Sequence, residues 1–163
     1  MVTDCSHIVV TGQPGCGKTT VARMLSQRGH LSHVALDDFI GREDAHEAAA
    51  AAISGTVGGW VVDGCVWQVP PGVWESADLV IHLDYAKRVH YARILRRALR
   101  RLHAGGGWAV VRDEWDNARV VRRWADENRA AWAAAGGITT ADVEIVRCRN
   151  PREAQLLIAR ITG

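Results

Sequence analysis

The chain has 163 residues, of which 48% are apolar and 23% are charged. This length and composition are those of one ordinary globular domain, so they exclude a disordered, collagen-like or low-complexity chain. Residues 1–87 carry a net charge of −5 and residues 88–163 one of +7, so the basic second half suits either solvent or an anionic partner.

Neither targeting nor cysteine patterns point away from the cytoplasm. No apolar run approaches the roughly 20 residues of a membrane span, and the N-terminus lacks the pattern of a signal peptide. The four cysteines form no Cys-x-x-Cys pair, so neither a zinc site nor a disulfide framework is expected. We therefore expect a cytoplasmic protein with no membrane partner.

Short apolar runs alternate with helical patterns along the chain. The predicted strands cover residues 7–11, 33–36, 60–62, 78–83 and 143–147. The predicted helices cover residues 19–28, 43–53, 88–102, 113–134 and 151–161, the last capped by Asn150 and opened by Pro151. Because most of the strands are continuously apolar, they predict a parallel sheet covered on both faces. We expect one α/β domain over residues 1–163, a three-layer sandwich with five parallel strands and a small lid or insert at about 93–119.

A phosphate-binding motif spans residues 12–19. The run Gly-Gln-Pro-Gly-Cys-Gly-Lys-Thr fits G-x-x-x-x-G-K-[ST] without a mismatch, after a predicted strand and before a predicted helix. Glycines let backbone N–H groups point at phosphate oxygens, and the helix adds its positive end. Lys18 can reach the β- and γ-phosphates of a nucleotide, and Thr19 can ligate Mg²⁺. The motif predicts ATP and Mg²⁺ as cofactors and a nucleotide site formed by Gly12, Gly15, Cys16, Gly17, Lys18, Thr19 and Thr20. We expect no chemistry from the Cys16 thiol.

Proteins with this motif divide into GTPases, motor or remodelling ATPases, and small-molecule kinases. The sequence has no Asn-Lys-x-Asp guanine motif. Large ATPase modules generally exceed this length and carry a second subdomain. The chain therefore fits the kinase branch.

Three acidic residues follow predicted strands. Asp37 and Asp38 come after the second strand, and Asp63 ends the third. Ligands of an open parallel sheet gather at the carboxyl ends of its strands, so these carboxylates should lie beside the phosphate loop. A carboxylate there can accept a proton from an attacking hydroxyl, or hold Mg²⁺ directly or through water. A helix cap or a turn is the structural alternative for each of them.

Several segments resemble known kinases. Residues 36–40, Leu-Asp-Asp-Phe-Ile, resemble the D-x-F-Y segment of uridine kinases and the Val-Asp-Ser-Leu-Ile segment of chloramphenicol phosphotransferases. Residues 61–64 resemble the third-strand D-G or E-G of nucleoside and nucleoside monophosphate kinases, and residues 77–84 with the arginines that follow resemble their fourth strand and lid helix. The resemblance implies the P-loop NTPase fold of nucleoside and nucleotide kinases. Ile40 replaces the usual Tyr of uridine kinases, and the loop after the third strand is unlike theirs.

The same resemblance implies the role of Asp37, and the position of the other two carboxylates at strand ends predicts theirs. Asp37 would be the base that activates the acceptor hydroxyl, and Asp38 would orient the acceptor or the metal. Asp63 would contact the substrate. Together with Thr19 it would also hold Mg²⁺, in its case through a water molecule. If the acceptor group is a phosphate, no base is needed and Asp37 becomes a substrate or metal contact.

One basic face is predicted on the fourth helix. Its arginines recur at helical spacing: Arg93, Arg96, Arg97, Arg100 and Arg101. A closing lid would use such residues to stabilise charge in the transition state. From their position within the helix alone we assign this catalytic role to Arg93 and Arg97, and Arg112 and Arg119 are the alternatives if the Gly-rich segment 104–112 is the hinge. A solvated face and a track for nucleic acid are the alternatives.

The tryptophans divide into two groups. Trp67 and Trp74 flank the loop after the third strand, where the acceptor should bind, and Trp67 is predicted to stack on the substrate. The second group is expected to pack the helical layer: Trp108, Trp115, Trp124 and Trp132.

These observations predict a kinase that moves the γ-phosphate of ATP to a hydroxyl of a small or nucleoside-like acceptor. A nucleoside monophosphate kinase is the first alternative, although residues 65–77 contain no Arg to bind a second phosphate. A kinase of hydroxymethylated pyrimidines in DNA would use the basic second half, so nucleic acid stays open as a substrate. A non-catalytic nucleotide-binding or regulatory ATPase is the third alternative. The sequence names neither the acceptor nor the oligomeric state.

Overall fold

The structure is a computed structural model that describes residues 5–105, 107–109, 111–112, 115, 119 and 143–163. Its strands are β1 (His7–Gly12), β2 (Ser32–Ala35), β3 (Trp60–Gly64), β4 (Leu79–Leu83) and β5 (Glu144–Cys148). Its helices are α1 (Lys18–Gly29), α2 (Ala45–Ser54), α3 (Pro71–Glu75), α4 (Lys87–His103) and α5 (Pro151–Thr162). Two short 3₁₀ helices, Leu36–Phe39 and Val66–Gln68, follow β2 and β3. The predicted helix 113–134 lies almost entirely outside the described residues.

All five strands run parallel, in the order β2-β3-β1-β4-β5. The predicted parallel sheet is therefore confirmed. The phosphate loop follows the central strand β1, whose neighbours pair Thr11 with Gly64 and Gly12 with Leu83. On the other side of β3, Ala35 pairs with Asp63. The chain segments that follow β1, β2 and β3 thus leave the sheet at the same edge, where ligands of this class of fold gather.

Two apolar layers cover the sheet. On one face, alternate strand residues such as Ile8 and Ile81 pack with Leu25 of α1 and Leu157 of α5. On the other face, Val9, Val62 and Val80 pack with side chains of α2 and α3, among them Ile53 and Trp74. The three central strands β1, β3 and β4 are almost continuously buried, because each packs side chains on both faces of the sheet. The predicted three-layer α/β sandwich is confirmed.

The start of α5 follows the sequence signal. Asn150 accepts a hydrogen bond of 3.0 Å from the backbone N–H of Glu153, and Pro151 occupies the first helical turn. The cap satisfies an N–H group that has no partner within the helix, and proline fits there because its missing N–H is not needed. The predicted cap is confirmed.

The tryptophan predictions are partly wrong. Trp74 is buried in the α2 and α3 layer rather than beside an acceptor site. Trp108 and Trp115 are 86% and 63% exposed, so they do not pack a helical layer. Trp124 and Trp132 lie outside the described residues. An aromatic residue alone does not reveal whether it is buried, because the same side chain can serve a core or a surface.

The buried side of α4 is not the side on which its leucines recur at helical spacing. Leu95 and Leu99 are exposed, whereas His90 and Ile94 are buried. The buried side of α4 faces the phosphate loop.

Among the described residues, no helix is long and apolar enough to cross a membrane.

Stability should fall in mild acid because of His82 on β4. Burial, the largest cause, lowers the pKa of His82 to about 4. The unfolded chain, with an ordinary histidine pKa near 6.5, then binds the proton more readily, so stability is lost as the pH falls below about 6.5. We expect this site to cost about 2 kcal/mol between pH 7.5 and pH 5. Urea unfolding should show a shallower pH dependence in His82→Gln, whereas a change at exposed His103 should leave the dependence as in the wild type.

Candidate active site

The phosphate loop is a tight backbone turn that only glycine permits at its first position. Gly12 has φ of +154°, and a Cβ there would lie 2.6 Å from the carbonyl oxygen of Leu83. Gly17, with φ of +92°, directly precedes α1, and none of the described side chains caps that helix. The first N–H groups of α1 are therefore left to an anion, which the partial positive charge of the helix end also favours.

Lys18 lies inside this loop. The side chain is buried, and its Nζ donates to the carbonyl oxygen of Gln13 at 3.4 Å. A buried ammonium beside the phosphate loop is placed to meet phosphate oxygens. Next to it, burial raises the pKa of the Cys16 thiol, which stays protonated and gives no nucleophile.

A hydrogen-bonded group connects α1, β2 and β3 beside the loop. Thr19 Oγ1 donates to Asp63 Oδ2 at 2.8 Å, and His33 Nε2 lies 2.5 Å from Asp63 Oδ1. Asp63 is only 2% exposed. Both of its oxygens have protein partners, Thr19 and His33. This arrangement suits a carboxylate that acts on a metal ion through water rather than as a direct ligand.

His33 is the residue that sequence reasoning missed. In the register of the sheet, Ala35 pairs with Asp63, and His33 stands two residues earlier on β2. Residues two apart on a strand share a face, so strand alternation would have found this contact had the pairing been known. The sequence shows neither the pairing nor the register.

Asp37 joins the two 3₁₀ helices. Its Oδ1 accepts a hydrogen bond of 3.0 Å from Gln68 Nε2, and Gln68 Oε1 accepts one of 2.5 Å from the backbone N–H of Cys65. This chain of contacts fixes the carboxylate at the edge where the phosphate loop also emerges. Asp37 and Asp38 are both exposed, but only Asp37 lines the cavity described next.

A cavity of about 950 Å³ contains most of the predicted site. Its middle is the phosphate loop from Pro14 to Thr20, covered by residues of α4. One end is formed by residues of or next to the two 3₁₀ helices: Asp37, Ile40, Cys65, Trp67 and Gln68. The other end is formed by α1 and α5, with Met24, Pro151, Gln155 and Ile158. The cavity thus brings together Gly15, Cys16, Gly17, Lys18, Thr19, Thr20, Asp37, Trp67, Arg93 and Arg97, whereas Gly12, Asp38 and Asp63 do not line it.

The α4 helix rests directly on the phosphate loop. Arg93 Nη1 donates to the carbonyl oxygen of Cys16, and its guanidinium lies 5.2 Å from the centre of the Tyr85 ring. His90 Nδ1 lies 3.3 Å from the carbonyl oxygen of Pro14, and His90 Nε2 lies 3.1 Å from that of Tyr85. These contacts turn the side of α4 that carries His90 and Arg93 toward the loop, and Leu95 and Leu99 are left exposed.

Four arginines of α4 line the cavity: Arg93, Arg96, Arg97 and Arg100. Arg93 and Arg97 are the half-buried members, and Arg96 and Arg100 are exposed. Together with Lys18 they concentrate positive charge around the loop, as a site for a polyphosphate requires. Arg101, the fifth residue of the predicted basic face, is not among the lining residues.

A known protein family matches the part of the chain that contains the phosphate loop. The AAA domain family matches residues 8–104, which is more than half of the chain. The chain belongs to this family. The predicted P-loop fold is thereby confirmed.

The individual relatives that match are named as kinases. A shikimate kinase of Rhodopirellula baltica is 28% identical over 142 residues, a match that covers 83% of this chain and 63% of that protein. The chain thus spans less than two thirds of that relative's length. The crystal structure of a shikimate kinase from Bacteroides thetaiotaomicron is 14% identical with a TM-score of 0.54, and the match covers 96% of each chain. A shikimate kinase from Acinetobacter baumannii, in complex with shikimate, is 13% identical with a TM-score of 0.52, covering 92% of this chain and 87% of that one. This AAA-domain chain therefore shares the fold of the P-loop small-molecule kinases.

Proposed function

We propose that this protein is an ATP-dependent kinase that transfers the γ-phosphate to a hydroxyl group of a small acceptor. The observation that carries the proposal is a single cavity that holds Asp37 at one end and Lys18 with the α4 arginines in its middle. Phosphoryl transfer needs little more than positioning, charge stabilisation and a group that accepts the hydroxyl proton. The kinase names of the relatives agree with this proposal.

The nucleotide would lie along the cavity with its phosphates on the loop. Lys18, the loop amides and Arg97 would bind the β- and γ-phosphates. Because Asp37 lies at the 3₁₀ end, the γ-phosphate points to that end, and the nucleoside extends toward Pro151 and Gln155 at the other. Arg96 and Arg100, on the cavity side of α4, would then lie near the nucleoside end or the α-phosphate.

The residues beside the loop fit a magnesium ion. Thr19 would supply a hydroxyl ligand, and Asp63 would orient a metal-bound water. Bound Mg²⁺ supplies charge neutralisation on the β- and γ-phosphates. The hydrogen bond between Thr19 and Asp63 and the contact of His33 with Asp63 hold these groups in place beforehand.

Asp37 would act as the general base. Gln68 donates to its Oδ1, and none of the described residues donates to Oδ2. That second oxygen is therefore available for the proton of an acceptor hydroxyl. Holding the base by one oxygen fixes its direction without using its capacity as an acceptor.

The test is release of ADP from Mg-ATP with and without hydroxyl acceptors, with the phosphorylated product identified by mass. Nucleosides, sugars, hydroxylated antibiotics and shikimate are suitable compounds, and duplex DNA with and without hydroxymethylpyrimidines tests the nucleic-acid alternative. Acceptor-dependent ADP release together with a phosphorylated alcohol would support the proposal. Slow ATP hydrolysis that no acceptor stimulates would favour a regulatory ATPase instead.

His33 should act on magnesium use through Asp63. Replacing His33 with Ala removes one of the two partners that orient the carboxylate, so we expect about a tenfold rise in the Mg²⁺ concentration for half-maximal activity. The matched control is His7→Ala, which also breaks a histidine–aspartate pair, with Asp78, at the start of β1. A magnesium titration of ADP release measures both variants. An equal shift in the two variants would mean that the His33 effect is a general loss of stability.

A further inference from the structure

The two parts of the cavity that would hold donor and acceptor differ in charge. Each Lys or Arg that lines the cavity belongs to the phosphate loop or to α4: Lys18, Arg93, Arg96, Arg97 and Arg100. We call the end formed by Asp37, Ile40, Cys65, Trp67 and Gln68 the acceptor wall. Burial, the largest cause, raises the pKa of Cys65 to about 11, so this thiol is neutral. Among the described residues, the acceptor wall therefore carries one carboxylate and no cation.

The sequence explains this lack of positive charge. Between residues 30 and 86, Arg42 is the only Lys or Arg. Its guanidinium donates to both oxygens of Asp44, at 2.9 Å each, and the residue is not among those that line the cavity. The bidentate pair uses the fork by which Arg42 would bind a carboxylate or phosphate.

An anionic group on this wall would be unfavourable. Among the described residues, the wall itself offers it no cation to pair with, and it would lie beside the Asp37 carboxylate. The wall instead offers apolar surface, because Trp67 is 49% exposed and Ile40 is 68% exposed. The backbone of Trp67 is held by His46, whose Nε2 lies 3.0 Å from the Trp67 carbonyl oxygen. An exposed aromatic ring on this segment can stack on a flat or apolar ring face.

We propose that the acceptor is an uncharged, ring-containing hydroxyl compound that binds with its ring face against Trp67 and Ile40. This inference rests on the proposed kinase function. In the reaction, the acceptor oxygen forms a bond to the γ-phosphorus, and the bond from that phosphorus to the bridging oxygen of ADP breaks. The hydroxyl proton passes to Asp37, and ADP leaves with the electron pair of the broken bond.

The experiment compares matched acceptors that differ in charge, at saturating Mg-ATP. Suitable pairs are glucose with glucuronate, and methyl shikimate with shikimate, because each keeps the ring and differs in the charge of one substituent. We expect kcat/KM for the best neutral member to exceed that of its anionic partner at least tenfold. In Trp67→Ala, the KM for that neutral acceptor should rise about tenfold with a smaller change in kcat, as the loss of a stacking contact predicts.

A charge-gain variant tests the same idea from the opposite direction. Ile40→Arg places a guanidinium on the exposed edge of the acceptor wall and should raise kcat/KM for the anionic member of the pair about tenfold. Val57→Arg is the matched control, because Val57 is a 94% exposed apolar residue that does not line the cavity. The control should change neither member of the pair.

The outcomes separate this inference from the proposed function. Preference for the neutral member, reduced or reversed by Ile40→Arg alone, supports an uncharged acceptor. Equal or better turnover of anionic acceptors overturns the inference and leaves the kinase function standing. Turnover of no neutral compound also overturns it. If, in addition, no compound of either charge stimulates ADP release, the proposed function falls with it.

Discussion

Replacing Asp37 with Asn should lower kcat for acceptor phosphorylation about a thousandfold, within the range for loss of a general base. The amide has nearly the shape of the carboxylate but cannot take up the hydroxyl proton. It keeps an oxygen that can accept from Gln68, so the link between the two 3₁₀ helices is retained. We expect KM for ATP to change little, because the phosphate loop is untouched. Initial rates of ADP release with a saturating acceptor measure the effect.

Asp38→Asn is the matched comparison for this prediction. It changes the neighbouring carboxylate, which is exposed and outside the cavity lining. We expect a loss of less than about threefold, as for a charge that is screened by solvent. A loss as large as that in Asp37→Asn would restore the role that the sequence predicts for Asp38. Full activity in Asp37→Asn would remove Asp37 as the base and favour a phosphate acceptor, which needs none.

Replacing Lys18 with Ala should reduce kcat/KM for ATP by a factor of about 10² to 10³, the usual effect of removing one donor that stabilises developing charge. The Lys18 side chain is buried and donates to the loop carbonyl of Gln13, so its loss removes the positive charge held against the loop. The fold should persist, because the change removes a buried charge rather than adding one. Titration with a fluorescent ATP analogue and steady-state rates would measure binding and turnover separately.

The chain provides a close control for Lys18. Its only other lysine is Lys87, which is exposed at the start of α4. Lys87→Ala removes the same charge from the protein without touching the cavity, so ATP binding should stay within about twofold of the wild type. An equal loss in both variants would mean that net charge, rather than the position of Lys18, governs nucleotide binding.

The sequence predicts the phosphate loop well because that motif is local. Gly12, Gly17, Lys18 and Thr19 lie within eight consecutive residues, between a strand and a helix. Their chemistry depends on backbone conformation, which short-range sterics dictate. The position of Asp37 beside the loop is also predicted, because this residue directly follows a predicted strand and the carboxyl ends of parallel strands lie together.

Contacts between distant segments were harder to predict. His33 and Asp63 are separated by thirty residues, and only the register of β2 with β3 brings them together. Asp37 and Asp38 are adjacent and identical in type, so sequence does not distinguish them. The turn of the first 3₁₀ helix directs one into the cavity and leaves the other outside. The burial of Trp74 and the exposure of Trp108 likewise depend on which surfaces meet.

The sequence by itself determined the class of fold, the nucleotide loop and the scarcity of Lys and Arg between residues 30 and 86. Composition, periodicity and a contiguous motif can all be read from the order of residues in the chain. Only the tertiary structure decided which arginines of α4 meet the loop, that His33 and Thr19 hold Asp63 from both sides, and that Trp67 rather than Trp74 faces the cavity. These features depend on how helices turn against the sheet and on strand register. Both are set by the packing of residues far apart in the chain.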